Sequence, residues 1–354
     1  MTKTQLNHTE IFPTTRYQGS KLKIVNWIWE ELSDLKFNSV IDVMGGTSSV
    51  SYKLKQQNKQ IIFNDVLRFN FHIGRALIEN SKTTLSKSDI EYLINYHDDV
   101  KYDTFVKDTF KDVFFLDKEN TWLDTFIGNL KTFENKYKTS LALASLFQAC
   151  IIKRPYNLFH RKNLYMRLAD VKRSFGNKAT WEQKFEYWFL KFANEYNSCV
   201  FDNGQKNTSL NLDIFDVDDV NSYDLVYFDP PYTNLKNSVD YLEYYHFLEG
   251  LCVYLESDSD SWRKQIDWNR KPLPFQHTKS PWNDRQQLYH MFEKVIAKFK
   301  NSMMVISWNS SGYPSPDDLV VLLKKYYKNV EVKSKNYQYA LSPKKSNELL
   351  FIAR

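Results

Sequence analysis

The chain has little from which to build a covalent or metal framework. Its three cysteines, Cys150, Cys199 and Cys252, are widely spaced in 354 residues, with no CxxC pair and no histidine cluster at zinc spacing. Neither a disulfide framework nor a metal site is therefore expected. No run approaches the roughly 18 consecutive apolar residues of a membrane span. The opening stretch MTKTQLNHTEIFPTTRYQGSK is polar and lacks an apolar core, so a cytoplasmic protein with no membrane association is expected. Internal repeats and coiled-coil heptads are also missing. The length suits one large domain with an insertion, or two domains.

What is present in excess is local positive charge. The whole chain carries a formal +6. Between residues 151 and 180, Lys153, Arg154, Arg161, Lys162, Arg167, Lys172, Arg173 and Lys178 face only Asp170, so this one segment holds a net +7. A concentration of that kind points to an anionic partner.

Apolar runs mark the scaffold. SVIDVMGG begins as a short β-type run and breaks at Gly45 and Gly46, and SSVSYKLKQQ then starts a helix. KQIIFNDV is a second strand ending at Asp65. DLVYFD, SMMVISWN and ELLFIAR supply a third, a fourth and a fifth. Strand, glycine turn, helix, strand and terminal acid form a nucleotide-binding α/β opening, and such runs suit a largely parallel sheet with helices on both faces. Between about 67 and 200 the strands give way to helix-like stretches such as KTSLALASLFQACIIK and WEQKFEYWFLKFANEYN, which suggests an inserted, mostly helical domain. ESDSDSW followed by KPLPFQHTKSPW reads as a polar, proline-bearing loop. SPWNDRQQL reads as a helix start, with Ser280 as cap and Pro281 in the first turn.

The stretch FDPPY, residues 228–232, carries the chemistry. Two prolines cannot continue a central strand, so the strand stops here and is held stiff. Ligands of parallel sheets bind outside the carboxyl ends of the strands, where Asp229 falls. Its carboxylate and the carbonyl of Pro230, fixed by Pro231, would offer two acceptors to an amino group with two hydrogens. Tyr232 adds a flat face for a planar base.

With these segments in this order, the chain resembles the Dam-like, alpha-class DNA adenine-N6 methyltransferases. The resemblance covers most of the sequence and implies a Rossmann-like α/β sheet that uses S-adenosyl-L-methionine. In YQGSK, Tyr17 and Lys21 would help hold the methionine part of that cofactor. DVMGGTSSVSY would place Asp42 and Gly46 beside it, Asp65 in NDV would bind its ribose hydroxyls, and Asp213 and Phe215 in LDIF would contact its adenine. The chain departs from the family pattern at Met44, Ser48 and Ser20, where phenylalanine, glycine and glycine are usual. Ser48 matters most, because serine resists positive φ. The resemblance implies a catalytic domain made of residues 1–66 and 201–354, and a target-recognition domain at 67–200. Within the latter, KRPYNLFHRKNLYMR would give Arg154, Asn157, Arg161 and Lys162 as contacts to double-stranded DNA. Tyr241 and Phe247 would shape the base pocket, or simply belong to a helix core. A monomer is expected, with a separate restriction endonuclease as a candidate functional partner. Methylation of an RNA base or of a cytosine amino group, and a catalytically silent DNA-binding protein on the same scaffold, are the alternatives.

Overall fold

A computed structural model describes residues 12–169, 178–218, 223–233, 239–276, 280–337 and 346–354. Lys172 and Arg173 of the basic segment lie outside the described residues. The chain forms two compact units. One comprises 1–20, 67–202 and 242–276; the other comprises 21–66, 203–241 and 277–354. The division differs from a single insertion at 67–200, because the first unit also takes in 1–20 and the stretch 242–276.

The second unit holds a seven-stranded sheet. In chain order its strands are β1 (Ser39–Asp42), β2 (Gln60–Asn64), β3 (Thr208–Leu210), β4 (Leu225–Phe228), β5 (Met303–Asn309), β6 (Val330–Tyr337) and β7 (Ser346–Ala353). The order across the sheet is β3-β2-β1-β4-β5-β7-β6. The first five strands pair in parallel, whereas β7 runs antiparallel to both β5 and β6. The five apolar runs of the sequence thus become β1, β2, β4, β5 and β7, with the last reversed. Strands β3 and β6 have no counterpart among those runs.

Strand β4 is buried at every position, as parallel strands covered on both faces must be. On one face Ile41, Val226, Phe228, Met304, Ile306 and Trp308 pack with Leu288, Phe292, Val295 and Ile296 of the helix Arg285–Lys298 and with Leu319, Leu322 and Leu323 of the helix Pro316–Leu323. Helices Val25–Leu32 and Ser49–Gln56 pack on each other, and the latter also packs on β2. The expected cap at Ser280 heads only a short 3-10 turn, Pro281–Asn283. Asp284 caps the long helix instead, its carboxylate accepting from the Gln286 N–H at 3.0 Å.

Among its described residues the other unit's regular elements are all helices, joined by loops, apart from one bridge between Ile266 and Phe275. Its centre is the helix Lys136–Ile152, buried without interruption from Ser140 to Ile152 and packed against Phe185–Ser198 and Arg68–Gly74. A helix apolar on all sides belongs in a core. The stretch ESDSDSW is no loop: Asp258 caps a helix from Ser259 to Gln265, and Trp262 is fully buried. Phe247 joins that core beside Phe110, Phe114, Phe159 and Trp262, so it shapes the interior rather than a base pocket.

Gly45, in the turn after β1, is fixed by packing. A Cβ on Gly45 would lie 2.0 Å from the ring of Phe63, in the strand next to it. Gly45→Ala is therefore expected to destabilise the sheet unit by about 1–3 kcal/mol through overpacking. Chemical denaturation checks this, and an unchanged midpoint would contradict it.

Candidate active site

The parallel register brings the acids to one end of the sheet. Asp42 ends β1 opposite Phe63 of β2 and Tyr227 of β4, so Asp65 and Asp229, each two residues further on, emerge at the same carboxyl edge. Neighbouring strands lie about 4.8 Å apart, which gathers three carboxylates on adjoining strands.

Each acid is held differently. Asp65 is buried and accepts the Gly46 N–H at 2.9 Å, closing the turn after β1. Asn64 braces the same edge: its amide donates to the carbonyls of Val43 and Leu212 and accepts from the Leu212 N–H. Asp42, 1% exposed, accepts from the Ser51 hydroxyl at 2.6 Å. Burial pushes its carboxyl up to about 7, against the Ser51 hydrogen bond and with help from Asp229 and Asp65. Ser48, whose side chain argues against positive φ, adopts φ 64 nonetheless and is fully buried. The surrounding contacts hold it there, as backbone strain requires.

Asp229 meets a lysine. Lys21 Nζ lies 2.8 Å from each oxygen of its carboxylate, with the two side chains 7% and 16% exposed. The resemblance assigns Lys21 to the cofactor's methionine; the structure places it on the DPPY aspartate. Burial pushes Asp229 up to about 6; Lys21 pulls it down and Glu348 adds to the rise. Burial opposes the charge of Lys21, but Asp229 and Glu348 together hold its pKa above the ordinary lysine value.

The loop beyond is pinned at several points. The Tyr232 hydroxyl donates to Glu348 and lies 3.2 Å from Ser307 Oγ. Its ring packs edge-on against Trp308 at 5.2 Å, and Lys21 Nζ sits 4.4 Å over one face. Pro230 is buried, Pro231 half-buried, and the Thr233 hydroxyl donates to the carbonyl of Trp282. Sequence reasoning misses Ser307 and Glu348, although they begin the SWN and ELLFI segments. A polar residue within an otherwise apolar run is the available signal.

The remaining cofactor candidates are less concentrated. Asp213 is exposed and caps its own turn, accepting the Phe215 N–H at 2.9 Å, while Phe215 packs half-buried on the sheet core. Tyr17 belongs to the helical unit, where it stacks on Tyr245 with ring centres 4.6 Å apart. The turn at Gly46 does suit a bound cofactor: the glycine has φ 51, and no atom lies within 4 Å of where a Cβ would stand. At this edge the carboxylates of Asp65, Asp229 and Glu348 outnumber the ammonium of Lys21 even without Asp42, an excess that complements a cationic sulfonium.

A sheet of this order, with a glycine turn after its first strand and acids at the ends of three adjoining strands, is consistent with an S-adenosylmethionine-dependent methyltransferase fold. More narrowly, the chain belongs to the D12 class N6 adenine-specific DNA methyltransferases, whose family pattern matches residues 17–304. It is 30% identical over 351 residues to the Type II methyltransferase M2.HphI of Haemophilus parahaemolyticus, covering 96% of this chain and 97% of that one. It is 24% identical to the Type II methyltransferase M.CviAII of Paramecium bursaria Chlorella virus 1, over 91% of each. A third relative, modification methylase StsI of Streptococcus sanguinis, is 23% identical over 88% of this chain but only 46% of its own length.

In the helical unit the basic segment is partly spent inside. Arg154 is 1% exposed and donates to the carbonyls of Phe114, Leu158 and Arg161, with its guanidinium 4.5 Å over the Phe114 ring. Burial, with Arg167 adding to it, brings its pKa down to about 9. Lys153 and Arg167 both pair with the buried Glu119 at 2.8 Å. Arg154, expected to contact DNA, is thus enclosed here, where it staples the loop that carries the other candidates. Arg161 and Lys162 are exposed, and Asn157 is half-buried with φ 60. Arg154→Ala would leave several buried carbonyls unpaired and is expected to cost about 3 kcal/mol of stability. Denaturation of the variant checks this; loss of DNA affinity with full stability would contradict it.

Proposed function

We propose that the protein methylates N6 of an adenine at a defined site in duplex DNA, as the modification half of a restriction-modification system with a separate endonuclease. The observation that carries this reading is the largely enclosed Asp229 carboxylate, 16% exposed, fixed just beyond the end of β4 and engaged by the side chain of Lys21. Naming of the relatives as Type II methyltransferases and as a modification methylase supports the system.

An adenine within a duplex cannot reach such a recess, so the nucleotide flips out at a cost of a few kcal/mol. Asp229 and the Pro230 carbonyl accept the two amino hydrogens, which draws the nitrogen lone pair out of conjugation with the ring. Tyr232 offers the base the ring face that Lys21 does not cover. Gly46, Asp42 and Asp65, with Asp213 and Phe215, hold the cofactor. S-adenosylmethionine supplies an electrophilic methyl group when bound, and the protein's part is positioning and electrostatics. In the helical unit, Arg161 and Lys162 meet phosphates or base edges and Asn157 reads a base.

Asp229→Ala is expected to abolish methylation of duplex DNA while binding persists in a mobility-shift assay; near wild-type turnover would refute the mechanism. Ionised, the carboxylate offers both oxygens as acceptors, and protonation turns one of them into a donor, so kcat/KM should fall as pH drops through about 6, the value of Asp229 in the free protein. Rates between pH 5 and 8 test this. Substituting Arg161 or Lys162 with alanine should each reduce the slope of log affinity against log salt by about 1. Parallel assays on single-stranded DNA and RNA should show little turnover, and a preference for either would favour another amino-group substrate.

A further inference from the structure

We infer that Glu348 is a positioning residue for methyl transfer, holding Tyr232 in place and giving Lys21 a second carboxylate to which it moves when an amino group takes Asp229. This rests on Asp229 being the amino acceptor. Lys21 spans both oxygens of that carboxylate at 2.8 Å, so in this arrangement the acceptor is already engaged by a donor. An incoming amino group needs at least one of those oxygens. A buried ammonium, however, cannot be set free without a counter-charge.

Glu348 provides one. It is 0% exposed, and its Oε1 lies 3.6 Å from Lys21 Nζ, a salt-bridge distance longer than a hydrogen bond. A small rotation of the lysine side chain closes that gap. The same oxygen accepts from Ser307 at 2.7 Å and from the Tyr232 hydroxyl, so the carboxylate is fixed from the strand beside it and from the loop it serves. The antiparallel pairing of β5 with β7, which sets Glu348 opposite Asn309, is what brings it to the carboxyl edge.

The charged and titratable groups around Asp229 are Lys21, Glu348, Tyr232, Tyr227 and Asp42. Of these, Glu348 is a negative charge that raises Asp229. Removing that charge while keeping the shape therefore lowers the pKa of Asp229. Glu348→Gln is expected to reduce kcat about tenfold, with DNA affinity and melting temperature near wild type, and to move the acid limb of kcat/KM to lower pH. Glu348→Asp, which keeps the charge, should recover part of the rate and restore the acid limb. Ser307→Ala removes a hydrogen bond and no charge, so it should leave the limb in place. A folded Glu348→Gln variant with unchanged kcat and unchanged acid limb overturns the inference. So does an equal loss of stability, DNA binding and rate in both Glu348 variants, which marks a purely structural residue. Activity surviving in Asp229→Ala would instead overturn the underlying mechanism, so the two failures are distinguishable.

Discussion

A carboxylate withdrawn from water must be answered by a positive charge, and the ion pair between Asp229 and Lys21 answers that need at the carboxyl edge of the sheet. Most of the surrounding structure makes the pair tenable. The prolines stop β4 and stiffen the loop beyond it, and Thr233 ties that loop to Trp282. Tyr232 and Ser307 converge on Glu348, which in turn stands near the lysine. A free carboxylate at the same place would sit higher in pKa, because burial works against its charge. Lys21 thus favours the ionised form of Asp229 against burial and Glu348, and the same contact fixes its geometry.

The helical unit treats charge in the opposite way. Lys153, Arg154 and Arg167 are drawn inside and matched to Glu119 or to backbone carbonyls. Arg161 and Lys162 remain at the surface, on the loop whose Arg161 carbonyl Arg154 holds. A guanidinium has five N–H donors in a fixed fork, so one arginine can secure several carbonyls of an irregular loop that has no ladder of its own. Residue type alone therefore overstates how much of the segment's charge faces outward.

Much of the catalytic edge is legible in the sequence because it depends on strand ends, and strand ends show as apolar runs broken by acids and glycines. Asp42, Asp65 and Asp229 lie where those runs predict. Strand β3 is three residues long, too short to show a period, and β6, reading VEVKSKNY, lies at the sheet edge with charges along it, as edge strands do. Lys21 is conspicuous in YQGSK but its partner is not, since the ion pair joins residues 208 positions apart. Glu348 is hidden for a similar reason: its place at the head of an apolar run is the one local mark it carries, and its partners come from Ser307, Tyr232 and Lys21, far away in sequence. Ser280 and Asp284 show the limit of capping rules, since both cap, and only the turn between them decides which one starts the helix.

The reversal of β7 bears on how the sheet is completed. The strand lies between β5 and β6, hydrogen-bonded on both sides, and carries Glu348 near its beginning. The other residues at the catalytic edge, from Lys21 to Ser307, precede it in the chain. The last strand of the sheet in chain order therefore does not extend its edge but enters between two strands that precede it, and the carboxylate nearest Lys21 after Asp229 comes from the part of the sheet most distant from that lysine in sequence.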